Sequence, residues 1–387
     1  MTGLIVDSEE HALLRASVSK IAQAYGHAYF ADRARQGGGV DELWSELGHA
    51  GFLSVHLPEE YGGGGGGLSE YVVVLEELAA HGMPLLMGVI SPAITGSIVW
   101  RYGSAAMKAE WLPGMGAGTK KMAFALTEPD AGSNSHRVSS TAHRDGDGWR
   151  LTGAKYYISG VDESDALLVV ARDGDPAEGS GRAPLSLFVV PTDAAGLRYQ
   201  QIETELVVPE KQFTVFFDDV RIGLEALIGE RGKGLRQVFS GLNPERIMAA
   251  ALSNGMGRYA LDKARRYATE RQVWSTPIGA HQGVSHPLAE CYIAVELARL
   301  VTARAAALHD GGQDAAEAAN IAKFAAADAS LKAIDQAIQT HGGNGLSREY
   351  GLADLWFAAR LLKTAPVSRE MVLNFVAQHS LNLPASY

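Results

Sequence analysis

The stretch from Ala123 to Arg172 constrains the fold most. It reads A-F-A-L-T-E-P-D-A-G-S, then G-W-R-L-T-G-A-K-Y-Y-I-S-G, then A-L-L-V-V-A-R: three short β-like runs joined by polar turns inside an otherwise helical sequence. Pro129 removes a backbone donor, and Gly132 permits close backbone approach or a positive φ. Thr127, Ser133 and Ser159 place small hydroxyls beside those turns. Such a surface can hold the polar edge of a flat cofactor through backbone and hydroxyl hydrogen bonds. A β-meander with ordinary turns accounts for the same pattern.

The flanks differ in period. Residues 1–120 read as helices: Leu13, Leu14, Val18 and Ile21 form a stripe, and Leu43 to Leu47 and Tyr71 to Leu78 continue the spacing. Residues 121–232 carry apolar, β-branched and aromatic runs, such as Leu185 to Val190 and Phe213 to Phe217. Clusters such as Asp173-Gly174-Asp175-Pro176 bound them, which predicts a β domain. Residues 233–387 return to helix. Ile321, Phe324, Leu331, Ile334 and Ile338 give one face, Gly342-Gly343 a stop, and alanine richness close packing in a bundle. The fold class expected is α+β: an N-terminal helical domain, a middle β domain and a C-terminal four-helix bundle. The glycine run Gly62 to Gly67 satisfies G-x-G-x-x-G trivially, but no strand precedes it, so it is expected to be a flexible interhelical loop.

Composition narrows the function. A length of 387 residues with 47% hydrophobic and 20% charged residues fits a soluble globular protein of several domains. A formal net charge of -10 argues against nucleic acid or an anionic membrane as partner. The single Cys291 excludes an intrachain disulfide framework, and its place in A-E-C-Y-I-A-V-E-L-A fits a buried apolar role. No apolar run is long enough for a membrane span. Asp7-Ser8-Glu9-Glu10 reads as a helix start rather than a signal peptide, so a cytoplasmic location is expected. His281 and His286 lack further ligands at metal spacing, so no metal is expected.

Several motifs together carry a resemblance. F-A-L-T-E-P-D-A-G-S, E-R-Q-V-W-S-T-P-I-G-A-H-Q and Q-T-H-G-G-N-G occur in this order, and the chain resembles the acyl-CoA dehydrogenase family over nearly its whole length. The resemblance implies FAD between the β domain and the C-terminal helices, with an acyl-CoA thioester between the flavin and a carboxylate. The carboxylate removes the α proton while the β hydride goes to flavin N5. It also implies a homotetramer, a dimer of dimers, that passes electrons to an electron-transfer flavoprotein. An oxidase or monooxygenase on the same fold, or a non-catalytic partner subunit of a mixed dehydrogenase complex, are the alternatives.

Many family members carry the base in E-G-T after G-G-N-G. Counting on from Gly342-Gly343-Asn344-Gly345 puts that glutamate at Pro366, which has no acid–base group. The isovaleryl- and long-chain-specific branches use a glutamate in an earlier E-R pair, here Glu245-Arg246 in N-P-E-R-I-M. The resemblance therefore implies Glu245 as the base, with Asn243, Arg246 and Ser133 toward the acyl-CoA. From pattern alone, Asn243 reads as an N-cap and Pro244 as the first helical residue, making Glu245 an ordinary first-turn glutamate. A helix N-terminus would lower its pKa and desolvation would raise it.

By the same resemblance Phe124, Ala125, Leu126 and Thr127 line the isoalloxazine. Tyr157, Ile158 and Ser159 match a W-I-T triplet beside it, and Ser133 also lies toward the cofactor. Arg271, His281 and Gln282, the loop Gln339 to Gly343 with Gly342 and Gly343, and Ser368 near Glu370 are expected to reach the FAD of a neighbouring subunit. Arginine suits a pyrophosphate through paired charged bonds. A surface ion pair is the plain alternative for Arg271.

Overall fold

The computed structural model describes residues 3–5, 7–174 and 183–385. The chain opens with helices α1 (Glu9–Arg35), α2 (Asp41–His49) and α3 (Leu68–Ala80). A short α4 (Leu86–Gly88) runs through a π-helical segment, Val89–Gly96, into α5 (Ser97–Tyr102), and α6 (Ala105–Gly116) follows. Eight strands come next: β1 (Met122–Ala125), β2 (Thr141–Asp145), β3 (Gly148–Ser159), β4 (Ala166–Asp173), β5 (Leu185–Pro191), β6 (Leu197–Ile202), β7 (Gln212–Gly223) and β8 (Leu227–Ile228). The chain then returns to helix with α7 (Gly234–Glu270), a small hairpin of β9 (Gln272–Val273) and β10 (Thr276–Pro277), and α8 (Gln282–Asp310). It closes with α9 (Ala316–His341), α10 (Asp354–Thr364) and α11 (Arg369–Phe375). The α+β order of helices, sheet and helices is the one expected.

Local chemistry sets the ends. Ser8 caps α1 by accepting from the His11 amide at 3.1 Å, and Glu9 and Glu10 follow in the first turn. Gly342, at φ 61°, ends α9 in a conformation that other residues adopt only with strain. Among the described residues no helix is long and apolar enough to cross a membrane.

The strands form one sheet in the order β6-β7-β3-β2-β4-β5-β8, and β1 adds to β4 in parallel. Side chains alternate across a strand, and β4 uses both faces. Ala166, Leu168 and Val170 join a large core shared with the N- and C-terminal helices, whereas Leu167, Val169 and Ala171 join a second core with Trp149, Phe188 and Phe217. The two helical regions meet directly as well. Glu76 on α3 accepts from Arg258 on α7 at 2.8 Å and from Arg299 on α8 at 3.0 Å, and Arg15 on α1 reaches it at 3.3 Å. Burial pushes the Glu76 carboxyl up, but the three guanidiniums overcome it and hold it at about 2.

Three expectations change. The glycine run is not a flexible loop: the amides of Gly63, Gly64, Gly65 and Gly66 donate to the carbonyls of Pro58, Ser54, Leu57 and Val55. A Cβ at Gly63 would lie 2.1 Å from the Leu57 carbonyl oxygen, so close backbone approach explains the glycine. The stripes are only partly buried, because Leu13 points outward at 69% exposure and Ile321 at 37%. Asn243 is not an N-cap. Helix α7 begins at Gly234, about three turns earlier, and passes through Pro244.

Gly63→Ala forces backbone apart and is expected to destabilise the protein by about 1–3 kcal/mol. A thermal melt that left Tm unchanged would refute this account of the loop.

Candidate active site

A buried ion pair builds the rim of the β domain. Lys155 on β3 is wholly buried, and its ammonium donates to Glu128 Oε1 at 2.8 Å, Leu126 O at 3.1 Å and Val170 O at 2.6 Å. All three of its N–H donors are thereby used. Glu128 is filled as completely. Its Oε1 also accepts from the Ser140 amide at 3.0 Å, and its Oε2 accepts from the Ser139 amide at 2.6 Å and hydroxyl at 2.7 Å. Burial works to raise the Glu128 carboxyl, but Lys155 and these donors hold it at about 2, well below the usual carboxylate range. The pair thus fixes the end of β1, the turn after it, the 139–140 segment and β3 relative to one another.

Two residues beyond Lys155, β3 bulges. Its register against β7 slips between Lys155 and Ile158, and Tyr157 takes φ 55°. A non-glycine residue with positive φ is strained. Here the bulge turns the Tyr157 ring outward, to 53% exposure. The Tyr156 amide donates to Thr127 O at 2.9 Å, which ties the two expected flavin segments edge to edge. Ser159 donates through Oγ to Gln212 Oε1 at 2.9 Å. Ala125 and Ile158 point into the second core, so only their backbone groups can serve a ligand, whereas Phe124 and Leu126 face the other way, against the large core. Ser133 is exposed after the turn.

Glu245 and Arg246 lie inside α7. Asn243 Oδ1 accepts from Arg246 Nη1 at 3.1 Å, and the buried Arg246 Nε has no partner. Among the described residues Glu245 has no hydrogen-bond or ion-pair partner. Desolvation pushes its carboxyl up to about 7, with Arg246 and Lys323 opposing. Since the helix terminus is three turns away, desolvation outweighs the dipole. The near-neutral value suits a general base.

A second group gathers at the other end of α7. Arg271, Gln339, Gly342 and Gly343 line one cleft of about 380 Å³ with Tyr267, His341 and Asn344. Among the described residues Arg271 has no ion pair, which removes the plain alternative. A Cβ at Gly342 or Gly343 would meet nothing within 4 Å. His281 and Gln282 are exposed at the start of α8, just after Ile278, which lines the cleft. Ser368 caps α11, accepting from the Met371 amide at 3.3 Å, with Glu370 in the first turn. Among the described residues no hydrogen bond or cleft lining joins it to Arg271.

These residues fit a dinucleotide flavin: an outward aromatic wall, backbone and hydroxyl groups at one ring-sized rim, and an unpaired guanidinium beside open glycines. Sequence reasoning missed Glu128, Lys155 and Gln212. Glu128 and Lys155 stand inside T-E-P and G-A-K, but charges 27 positions apart carry no local signal of pairing. Replacing Lys155 by Met leaves Glu128 buried and unpaired, an expected cost of about 3–5 kcal/mol. A variant with the wild-type Tm would overturn this reading of the rim.

Three family models match the chain: the acyl-CoA dehydrogenase N-terminal domain at residues 8–119, the middle domain at 123–220 and the C-terminal domain at 232–381. Acyl-CoA dehydrogenase FadE12 of Mycobacterium tuberculosis is 56% identical over 384 residues, covering 99% of this chain and 98% of that protein. A glutaryl-coenzyme A dehydrogenase solved with glutaryl-CoA superposes with TM-score 0.93 at 28% identity, covering 98% of this chain and 97% of that one. Butyryl-CoA dehydrogenase from Megasphaera elsdenii superposes with TM-score 0.92 at 25% identity, over 98% and 99% of the two chains. With a relative this similar along its whole length and the three models laid end to end, the chain belongs to the acyl-CoA dehydrogenase family and is an FAD-dependent oxidoreductase.

Proposed function

We propose that Glu245 is the base in the α,β-dehydrogenation of an acyl-CoA thioester to the trans-2-enoyl-CoA. The observation that carries this reading is a desolvated, partnerless carboxyl raised to about 7 on α7, in a chain whose position 366 is proline. The Glu245 carboxylate takes the α proton and becomes the neutral acid, and the Cα–H electron pair forms the new double bond. Bound FAD would supply the acceptor for the hydride that leaves Cβ with its electron pair. Burial favours this transfer because it lifts the carboxyl toward the acidity of the activated carbon acid.

The rest of the chain's work is binding. Backbone groups of Phe124 to Thr127, the Tyr157 ring with Ile158, and the Ser159 hydroxyl hold one end of FAD, while Arg271, His281, Gln282, Gln339, Gly342, Gly343 and Ser368 hold the nucleotide end across a subunit boundary. Gln212 Oε1 already accepts the hydrogen bond of the Ser159 hydroxyl, which leaves the lone pairs of that hydroxyl for the cofactor. Ser133, Asn243 and Arg246 serve the acyl-CoA. The domain divisions follow at residues 120 and 232.

We further propose a homotetramer with an electron-transfer flavoprotein as acceptor. Support for the assembly comes from α8, where Ile293 and Leu297 are 57% and 58% exposed beside a groove of about 450 Å³ against α9. An apolar stripe of this kind seeks a cover. The branch that carries its base in an E-R pair fits the same residues.

The test is anaerobic mixing of the FAD-loaded protein with acyl-CoA thioesters of different chain shape. One class should bleach the flavin absorbance. Because Glu245 must be ionised to act, bleaching should be slow below pH 7, rise through it and level off above. Glu245→Gln should slow it by about 10²-fold or more. Full activity in that variant, or a rate independent of pH between 5 and 9, would refute Glu245 as base.

A further inference from the structure

Gln212 opens β7 directly opposite Ser159 in the β3–β7 register, so the two side chains share one face of the sheet. Ser159 Oγ donates to Gln212 Oε1 at 2.9 Å, and Gln212 Nε2 donates to the main-chain oxygen of Glu210 at 3.3 Å. Gln212 is buried, so water has little access to its amide. The segment that carries the Glu210 oxygen is itself held from two sides. Glu210 Oε1 accepts from the Met87 amide of α4 at 3.0 Å, and the Gly160 amide donates to Lys211 O at 2.9 Å.

Each group in this row has one role open to it. A main-chain oxygen can only accept, so the Gln212 group that faces Glu210 is the NH2, and the group that faces Ser159 is the carbonyl oxygen. That oxygen also can only accept, so the single hydrogen of the Ser159 hydroxyl is committed to it. Among the described residues no donor reaches Ser159 Oγ. On its free side the hydroxyl therefore presents lone pairs alone. An unrestrained serine turns its hydroxyl to donate or to accept as a ligand requires; this one can only accept.

The difference matters for a cofactor whose own hydrogen-bonding groups change. Reduction of an isoalloxazine adds N–H donors at ring nitrogens that present lone pairs in the oxidised ring. A hydroxyl that only accepts is complementary to the reduced ring, and sets lone pair against lone pair in the oxidised one. Hydrogen bonds to ring nitrogens are one means by which a protein tunes a flavin. We propose that Gln212 is a positioning residue for electron uptake: held by the Glu210 carbonyl, it locks the Ser159 hydroxyl as an acceptor and so makes the bound flavin easier to reduce. This rests on Ser159 facing the ring of FAD.

The test is the midpoint potential of the FAD-loaded protein, measured anaerobically against a dye of known potential with no acyl-CoA present. Gln212→Met keeps a side chain of the same length but frees the Ser159 hydroxyl to donate to the oxidised ring. Its potential is expected to fall by about 15–30 mV, equivalent to losing about a three- to tenfold preference for the reduced form, the scale of one hydrogen bond. Ser159→Ala removes the acceptor and should lower the potential by a similar amount. The double variant should match Ser159→Ala alone, because Gln212 acts through that hydroxyl. Gln212→Asn keeps an amide on the buried strand but is one methylene too short for Ser159, so it should show the same fall where the Met variant does not fold. An unchanged potential in these Gln212 variants, beside a lowered one in Ser159→Ala, would overturn the role of Gln212 and leave Ser159 at the cofactor. Falls that add in the double variant would make Gln212 a brace of the strand and overturn the route through Ser159. An unchanged potential in Ser159→Ala would remove Ser159 from the ring, and with it the placement on which the proposal stands.

Discussion

The rim that meets the flavin depends on one ammonium and one carboxylate sealed from water. Lys155 and Glu128 sit at 0% and 4% exposure, and between them they satisfy seven hydrogen-bonding positions, counting their shared bond once from each side. Neither charge could stay buried alone. Their mutual contact leaves Lys155 free to hold two carbonyls and Glu128 free to hold two amides and a hydroxyl, so four separate backbone segments take their places from one pair. The Tyr157 bulge lies directly downstream. A strained residue persists only where its surroundings over-determine it, and the anchored Lys155 on one side and the buried Ile158 on the other do so here.

The base is treated in the opposite way. Glu128 and Glu76 are each buried against cations and held at about 2, where they are structural and inert near neutrality. Glu245 is half-buried, touches no cation, and desolvation lifts it to about 7. The same side chain thus serves as a permanent anion in two places and as a proton acceptor in a third. Contact with a cation separates the two anions from the acceptor.

Much of this was legible in the sequence. Apolar, β-branched and aromatic runs bounded by turn clusters marked the sheet, the serine before two glutamates marked the start of α1, and Gly342 marked the end of α9. What escaped was non-local. Asn243-Pro244 looks like a helix start because proline suits the first turn. The preceding turns of α7 nevertheless stay helical, because Val238 and Gly241 pack into the helical core, and a Cβ at Gly241 would lie 2.9 Å from Ile98. Tertiary packing there outweighs the hydrogen bond that Pro244 cannot make. The glycine run misled for a related reason: with no side chains, the order of Gly63 to Gly66 lies in backbone contacts to residues 54–58. The site showed the same split. Thr127, Ser159 and Arg271 stand in motifs, but Lys155 and Gln212 act through partners 27 and 53 positions away.

The double burial of β4 bears on how such chains can change over time. Three sequence models divide this protein cleanly, as though it were a string of exchangeable parts. Its interior is not divided that way: alternate residues of one strand belong to different cores, and the larger core runs from α1 to α10. A middle segment grafted from a distant relative would bring its own side chains into a neighbour's packing. Inheritance here is expected to be of whole chains, with variation gathered where no core passes, at loop tips and on the outer faces of α8 and α9.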